Sequence, residues 1–456
     1  MNDNRDSIDF GSNNIQRLFA SIFLPTVLGM LFSMAFIVTD GIFVGHGVGS
    51  YGLAAVNLIA PIMMLINGLG MMIGGGVSVV AAIHLSQGNT KAARINITQA
   101  YGAGVTFALL VALVCYAFPH TVLHLLGAQG DLYGYAYEYY LWFLPTCLFS
   151  MVGNIGMFVI RLDGSPRYAM MVNIVMAIVN IVLDYVFIFP CGMGLVGASL
   201  ATDVGGLVGM GMVVYYMLVP CKTLRLRRIK TTRTSRQLTA RNLGYMLRMG
   251  LPSLVAEIAV AVMMLTGNLM FLHYKGEDGV AAYSVICYLF PLVYMLIFAV
   301  SQSAQPIISF NHGAGNRERV RNTFRFSLLI GTLCGLVVML VFIFLPRSIV
   351  SIFINPSEPS YTIASYGLPI YAMGFLFMAV NVCYVGYCQS IERARAGVFF
   401  TMLRGIIFMV ACFVLMPVAL GDVGLWLAIP CAEGLTTLCI VGYQIALGNK
   451  KKDGVV

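Results

Sequence analysis

Charge is what this chain has least of. Only 10% of its 456 residues are Asp, Glu, Lys or Arg, while 59% are hydrophobic. Soluble domains average about 25% and about 45–50%. So few charges cannot coat a surface that faces water, and the solvent read from the composition is the bilayer. Other absences narrow the chemistry. The 11 cysteines lie in or beside expected helices and contain no Cys-x-x-Cys pair. An odd number at apolar positions reads as small reduced packing residues. There is no His-Glu-x-x-His, no nucleophile elbow and no phosphate-binding loop. Gly74-Gly75-Gly76 lacks the preceding strand and the following Lys-Ser/Thr, and reads as helix packing or local helix flexibility. The six histidines lie near expected helix ends, where interfacial hydrogen bonding accounts for them. The chain is therefore read as no enzyme, with no cofactor and no ATP-driven step of its own. The start of the chain carries Asp3, Asp6 and Asp9 and lacks a basic n-region, a short apolar core and a cleavage site. The first apolar helix is expected to direct the chain to the membrane.

What is present is a repeat. Pro25 recurs as Pro252, 227 residues on, and the same spacing links Gly88-Asn89 to Gly315-Asn316, Asn154 to Asn381, Pro190 to Pro417 and Gly197 to Gly424. A repeat of this length without slippage means two copies of one fold. Each membrane helix needs about 20 apolar residues. The chain supplies twelve such stretches: 17–43, 52–84, 94–118, 132–160, 167–190, 195–219, 241–272, 279–311, 321–345, 361–389, 396–417 and 423–446. Continuous apolar runs without two-residue alternation exclude a barrel. The fold class read here is all-α and integral to the membrane, with two six-helix bundles related by a pseudo-two-fold along the membrane normal. Six is even, so both copies enter in the same orientation, as in transporters that rock two bundles about a central site. The lobes are expected at 1–219 and 241–456. Between them, 220–240 reads as a polar, basic cytoplasmic linker that lets the bundles move.

The net charge of +9 does not point to nucleic acid. With the N-terminus inside, all but Lys275 and Arg347 of the 27 Lys and Arg residues fall on the cytoplasmic side. This asymmetry predicts N- and C-termini in the cytoplasm and basic residues facing anionic lipid. A multi-pass protein of the inner (cytoplasmic) membrane, functional as a monomer, is the expectation.

The few ionisable residues inside the spans carry the chemistry, since each costs about 2.5–3.5 kcal/mol to insert. They are Asp40, Asp184, Asp203, Glu257, Arg404 and Glu433, five acids against one base. Such a balance attracts cations and holds protons. Asp40, Asp184 and Asp203 belong to the first copy at similar depth. Asn180 stands four residues before Asp184, on the same helix face. Asp40, Asn180, Asp184 and Thr202 together offer hard oxygen ligands for Na⁺, or a carboxyl pair that shares one proton. Thr202 and Asp203 point about 100° apart and cannot both aim squarely at one site. Glu257 is either a cation-binding carboxylate or a hydrogen-bonded packing group. Arg404 and Glu433 read first as a mutual ion pair or a snorkelling Arg, and second as substrate contacts. The acids are not duplicated: 227 residues on, Asp40 becomes Gly267 and Asp184 becomes Ala411. Pro25 inside the first helix is either a hinge for a gate worked by Asp40 or a static kink. The 28 methionines and many aromatics, where they line a cleft, make a pliable wall for flat lipophilic cations.

These features resemble the MATE (multidrug and toxic compound extrusion) family, prokaryotic type. The likeness rests on the 6 + 6 repeat and on specific stretches. They are Pro25 to Gly45 with Val38-Thr-Asp-Gly-Ile-Phe-Val-Gly45, Gly52-Leu-Ala-Ala-Val56, Gln87-Gly-Asn89 with Ala92-Ala-Arg94, Asn180-Ile-Val-Leu-Asp-Tyr185, Gly197-Ala-Ser-Leu-Ala-Thr202 and Gly250-Leu-Pro252. The resemblance implies an antiporter that exports cationic or amphipathic drug-like compounds by alternating access, coupled to H⁺ or Na⁺. It places the coupling site on Asp40, Asn180, Asp184 and Thr202. Asp203 departs from the family pattern, and Glu257 matches the seventh-helix acid of some branches only loosely. The alternative kept open is a flippase for a lipid-linked saccharide from the same wider superfamily.

Overall fold

The computed structural model describes residues 9–228 and 232–452. Expectations resting on Asp3, Arg5, Asp6, Lys230 or the side chains of Lys450 to Lys452 fall outside what can be described. The described residues form α1 (Ile15–Gly47), α2 (Ser50–Ser86), α3 (Thr90–Ala117), α4 (Pro119–Leu126), α5 (Asp131–Phe143), α6 (Thr146–Leu162), α7 (Pro166–Ile188) and α8 (Gly194–Leu218). They continue with α9 (Arg233–Gly313), α10 (Arg317–Phe344), α11 (Pro346–Val350), α12 (Pro359–Ala372), α13 (Gly374–Ser390), α14 (Ala394–Met402), a π-helical turn (Leu403–Ile407), α15 (Phe408–Leu420) and α16 (Asp422–Lys452).

Among the described residues nine helices are long and apolar enough to cross a membrane, and two bent pairs add one span each. α9 supplies two of the passes, since its 81 residues reverse at Gly276, where φ is +65°. Twelve membrane passes result. The bends are not visible in the sequence. α5 meets α6 at 51° around Pro145, and α12 meets α13 at 45° around Met373. Both breaks fall at the same place in the repeat, although Ala372 stands where the first copy has Pro145. Proline, which has no N–H to give, accounts for the first bend. At the second, Gly374 lets Pro430 of α16 approach, its absent β-carbon lying 3.3 Å from the proline backbone.

Local signals set the ends. Asn14 caps α1 by accepting from the Gln16 and Arg17 N–H groups, and Asn89 caps α3 through the Ala92 N–H. Gly88 and Gly315, partners in the repeat, follow the ends of α2 and α9 with φ of +73° and +75°, where glycine carries no steric penalty. Large apolar residues such as Leu113, Leu265, Leu415 and Leu438 are exposed along the helices, as lipid-facing surfaces require.

The chain forms two compact units, Met1–Leu254 with Ser309–Arg317, and Val255–Ile308 with Glu318–Val456. Their boundaries differ from the division at 220–240 because glycines draw both ends of α9 onto α2. A β-carbon on Gly76 would lie 2.0 Å from the Met246 carbonyl oxygen, and one on Gly313 would lie 2.8 Å from the Ile83 Cα. In the same unit Gly74 lets Asn154 and Ile155 of α6 approach, which is the packing role read for Gly74 and Gly76. The connector after α8 is fastened over its first half. The Lys222, Thr223 and Leu224 N–H groups donate to the Asp163 carboxylate at the α6–α7 turn. Arg94 donates to the Thr223 carbonyl at 2.7 Å, and the Arg227 N–H donates to Thr98 at 2.9 Å. At the far side Thr232 caps α9.

Candidate functional site

The first unit builds its polar site from α1, α7 and α8. α1 packs along α7, and α7 along α8. Small residues bring these helices close: a β-carbon on Gly205 of α8 would stand 3.2 Å from both Asn180 Cβ and the Met176 carbonyl oxygen. Asn180 and Asp184 share one face of α7, as their spacing requires, and both are buried, with 2% and 0% of their surface exposed. Asp40 comes from the C-terminal half of α1, which packs along α7, and its carboxyl group lies close enough to that of Asp184 for the two to act on each other.

Asn180 ties α8 to this pair. With its amide nitrogen turned to Asp184, it donates to Oδ2 at 3.1 Å and accepts from the Thr202 backbone N–H at 3.3 Å. Turned over, the same nitrogen reaches Thr202 Oγ1 at 3.4 Å. The Thr202 hydroxyl gives its own proton to the Ala198 carbonyl at 3.1 Å, so its oxygen keeps acceptor capacity toward the site. Asp40 Oδ1 and Asp184 Oδ1 are buried and have no protein hydrogen-bond partner.

The structure thus brings Asp40, Asn180, Asp184 and Thr202 together. It turns Asp203 aside: the Asp203 carboxylate accepts from the Thr146 hydroxyl at the start of α6. This is the 100° step between adjacent helical residues made visible. Tyr139 of α5, 4% exposed, lies near Asp40, Asp184 and Asp203. Sequence reasoning missed Tyr139 and Thr146. Tyr139 sits in the aromatic run Tyr133 to Tyr140, with nothing to single it out before α5 is folded against α2 and α8. Pro25 lies buried inside α1, which runs unbroken from Ile15 to Gly47.

The second unit holds a different polar group. Arg404, in the π-helical turn, and Glu433 of α16 form a buried ion pair, with Nε 3.1 Å from both carboxylate oxygens and Nη2 2.5 Å from Oε1. Asn381 of α13 donates to Glu433 Oε2 at 2.7 Å and accepts from Thr437 at 2.9 Å. The guanidinium carbon sits 5.9 Å from the Tyr294 ring centre. Glu257 is half-buried on α9 and lies near enough to Tyr294 to act on it electrostatically. Of the readings kept open, the mutual ion pair is the one the structure contains. Asn381 is visible in the sequence as the repeat partner of Asn154, but its role is not. Asn154 donates instead to Asn67 at 3.0 Å, so one scaffold position serves two unrelated polar contacts.

Comparison with known proteins agrees with this architecture. The MatE family profile matches residues 25–186 and 252–414. The multidrug export protein MepA of Staphylococcus saprophyticus is 22% identical over 393 residues, covering 86% of this chain and 85% of its own. The Vibrio cholerae MATE transporter VcmN, solved as a point mutant, superposes with a TM-score of 0.87 at 21% identity, over 95% of this chain and 97% of its own. A MOP superfamily transporter from Pyrococcus furiosus, described as having a binding pocket of reverse polarity, also gives 0.87 at 21% identity, over 96% of each chain. The profile match covers both copies of the repeat, and the relatives that share the chain's length are named as exporters. The chain belongs to the MatE family of membrane transporters.

Proposed function

We propose that this chain is a cation-coupled antiporter that exports cationic or amphipathic compounds, with Asp40, Asn180, Asp184 and Thr202 as the coupling site. The observation that carries this reading is the meeting of the Asp40 and Asp184 carboxyl groups in apolar surroundings, each with a buried oxygen left unpartnered. Two carboxylates so placed repel each other, and a proton or a metal cation between them removes the repulsion. The donor set suits either ion. Carboxylate, amide and hydroxyl oxygens are hard ligands fit for Na⁺, and a single shared proton would equally close the pair. Loading and unloading this site changes the forces between α1 and α7. That is the lever an alternating-access cycle needs, since an ion shifts a conformational equilibrium only by binding one state better than the other.

The relatives named as multidrug exporters support a drug-like substrate. Amphipathic cations are favoured by the acid-rich interior. The distribution of basic residues favours cytoplasmic termini and the inner membrane. A lipid-linked saccharide would need cationic lining for its pyrophosphate, whereas in the second unit Arg404 is already neutralised by Glu433. The test is efflux of a fluorescent cation from proteoliposomes under an imposed Na⁺ gradient, then under a pH gradient. One gradient should drive transport. Equal transport with neither imposed would overturn antiport.

A further inference from the structure

Arg161, in the last turn of α6, is 8% exposed. α6 packs against α2, α3, α7 and α8, so Arg161 belongs to the interior of the first unit. Its surroundings satisfy little of it. Nε donates to the Met157 carbonyl one turn back at 3.0 Å, and the Phe158 ring covers one face, its centre 5.0 Å from the guanidinium carbon. Among the described residues the guanidinium makes no other hydrogen bond or ring contact. An arginine has five N–H groups. The four on the terminal nitrogens have no acceptor there, and no carboxylate pairs with the charge. A helix C-terminus attracts cations, which accounts for Nε but not for those four.

The nearest acid along the chain, Asp163, is engaged elsewhere. Its carboxylate accepts from the Lys222, Thr223 and Leu224 N–H groups and from the Tyr216 hydroxyl, at 2.8–3.2 Å. Four donors fill the places that a carboxylate offers. The second copy of the repeat does without the charge: 227 residues on stands Cys388, 1% exposed. Packing at this position therefore does not require a cation. Nor does Arg161 escape burial by giving up a proton, as a buried lysine or histidine does. A buried charge persists when something pairs with it.

We infer that Arg161 binds an oxyanion at the connector end of α6, and that the ligand is a phosphate group. The guanidinium edge carries parallel N–H groups whose spacing matches two oxygens of one phosphate. Lys222 and Arg225, exposed on the fastened connector, leave this end of α6 positive overall, which suits a phosphate with up to two charges better than a carboxylate. A position near the helix end puts both a lipid headgroup and a soluble phosphate within reach. One guanidinium holds one phosphate group; it does not make the cationic lining that a lipid-linked saccharide needs. The site is independent of Asp40 and Asp184.

Thermal unfolding of the full-length, delipidated protein in detergent tests this. Two probes are compared at matched ionic strength against chloride: inorganic phosphate and dihexanoyl phosphatidylglycerol. At least one should raise the midpoint by several degrees and saturate. Arg161→Met should lose that rise. Arg161→Lys, which keeps the charge but not the fork, should need about tenfold more ligand. Lys91→Gln, which removes an exposed charge at the start of α3, should keep the rise. Phosphatidylglycerol acting at far lower concentration than phosphate would identify a lipid headgroup as the source, and the reverse order a soluble phosphate. An equal rise with chloride, or no rise with either probe, would overturn the proposal, and neither result depends on a variant folding. An undiminished rise in Arg161→Met would overturn it as well. No ion gradient is used, so the outcome does not bear on the coupling site.

Discussion

Gly76 of α2 and Gly250 of α9 share one helix-to-helix contact, each facing the other helix's backbone. A β-carbon on Gly76 would fall 2.0 Å from the Met246 carbonyl oxygen, and one on Gly250 would fall 1.7 Å from that of Met72. Neither neighbour is a side chain that could turn away. Small residues allow such approach in lipid, where packing rather than hydrophobic force holds helices together.

Gly76→Ala or Gly250→Ala should therefore force the helices apart and destabilise the protein by about 1–3 kcal/mol or more. Thermal unfolding in detergent should show a midpoint several degrees lower. Gly211, with nothing within 4 Å of its would-be β-carbon, is the control. Gly211→Ala should leave the midpoint unchanged or slightly raised. Equal effects at Gly76 and Gly211 would contradict the contact.

Asp40→Asn and Asp184→Asn should each abolish ion-driven efflux while leaving expression and detergent stability near wild type. Asparagine preserves shape but cannot share a proton with a carboxylate in the same way or supply its charge to Na⁺. Asn180→Leu should weaken coupling by about tenfold or more, through loss of a donor to a charged group. Dye efflux from proteoliposomes reads all three, and unchanged transport in the aspartate variants would remove the coupling assignment.

Glu433→Gln leaves the buried Arg404 without its counter-charge. Breaking a buried pair in this way costs about 3–5 kcal/mol, whereas replacing both partners with apolar residues is often neutral. The single variant should therefore unfold well below wild type in a thermal-shift assay, and Arg404→Met with Glu433→Leu should recover most of the loss. Failure of the double variant to recover would show that the Asn381 and Thr437 bonds, rather than the charge, hold this region.

Asp163→Ala should free the start of the connector, since three N–H groups and the Tyr216 hydroxyl converge on that carboxylate. Trypsin should then cut after Arg225, Arg227 or Arg228 markedly faster than in wild type. Asp163→Asn, which keeps one good acceptor oxygen, should fall between the two.

Much of the molecule is legible in the residues. The repeat, the twelve passes and the left-handed turns at Gly88 and Gly315 follow from spacing and local chemistry. The shared face of Asn180 and Asp184 follows from helical periodicity, and so does the divergence of Thr202 from Asp203. The connector between the copies reads as a simple tether, because the carboxylate that fastens it lies far back in the chain, at the α6–α7 turn. Asn154 and Asn381 are visible as repeat partners, yet their contacts Asn67 and Glu433 come from other helices. Nothing local distinguishes them.

By itself, then, the sequence determined which segments enter lipid, the turns at Gly88 and Gly315 and which acids must be buried, because hydrophobicity, turn chemistry and insertion cost act on neighbouring residues. Only the tertiary structure decided which of those acids meet. Asp40 joins Asp184 while Asp203 turns to Thr146 and Glu433 to Arg404, because such pairings depend on how closely helices far apart in the chain can approach. Small side chains set that approach, glycines foremost among them, and no local signal encodes it.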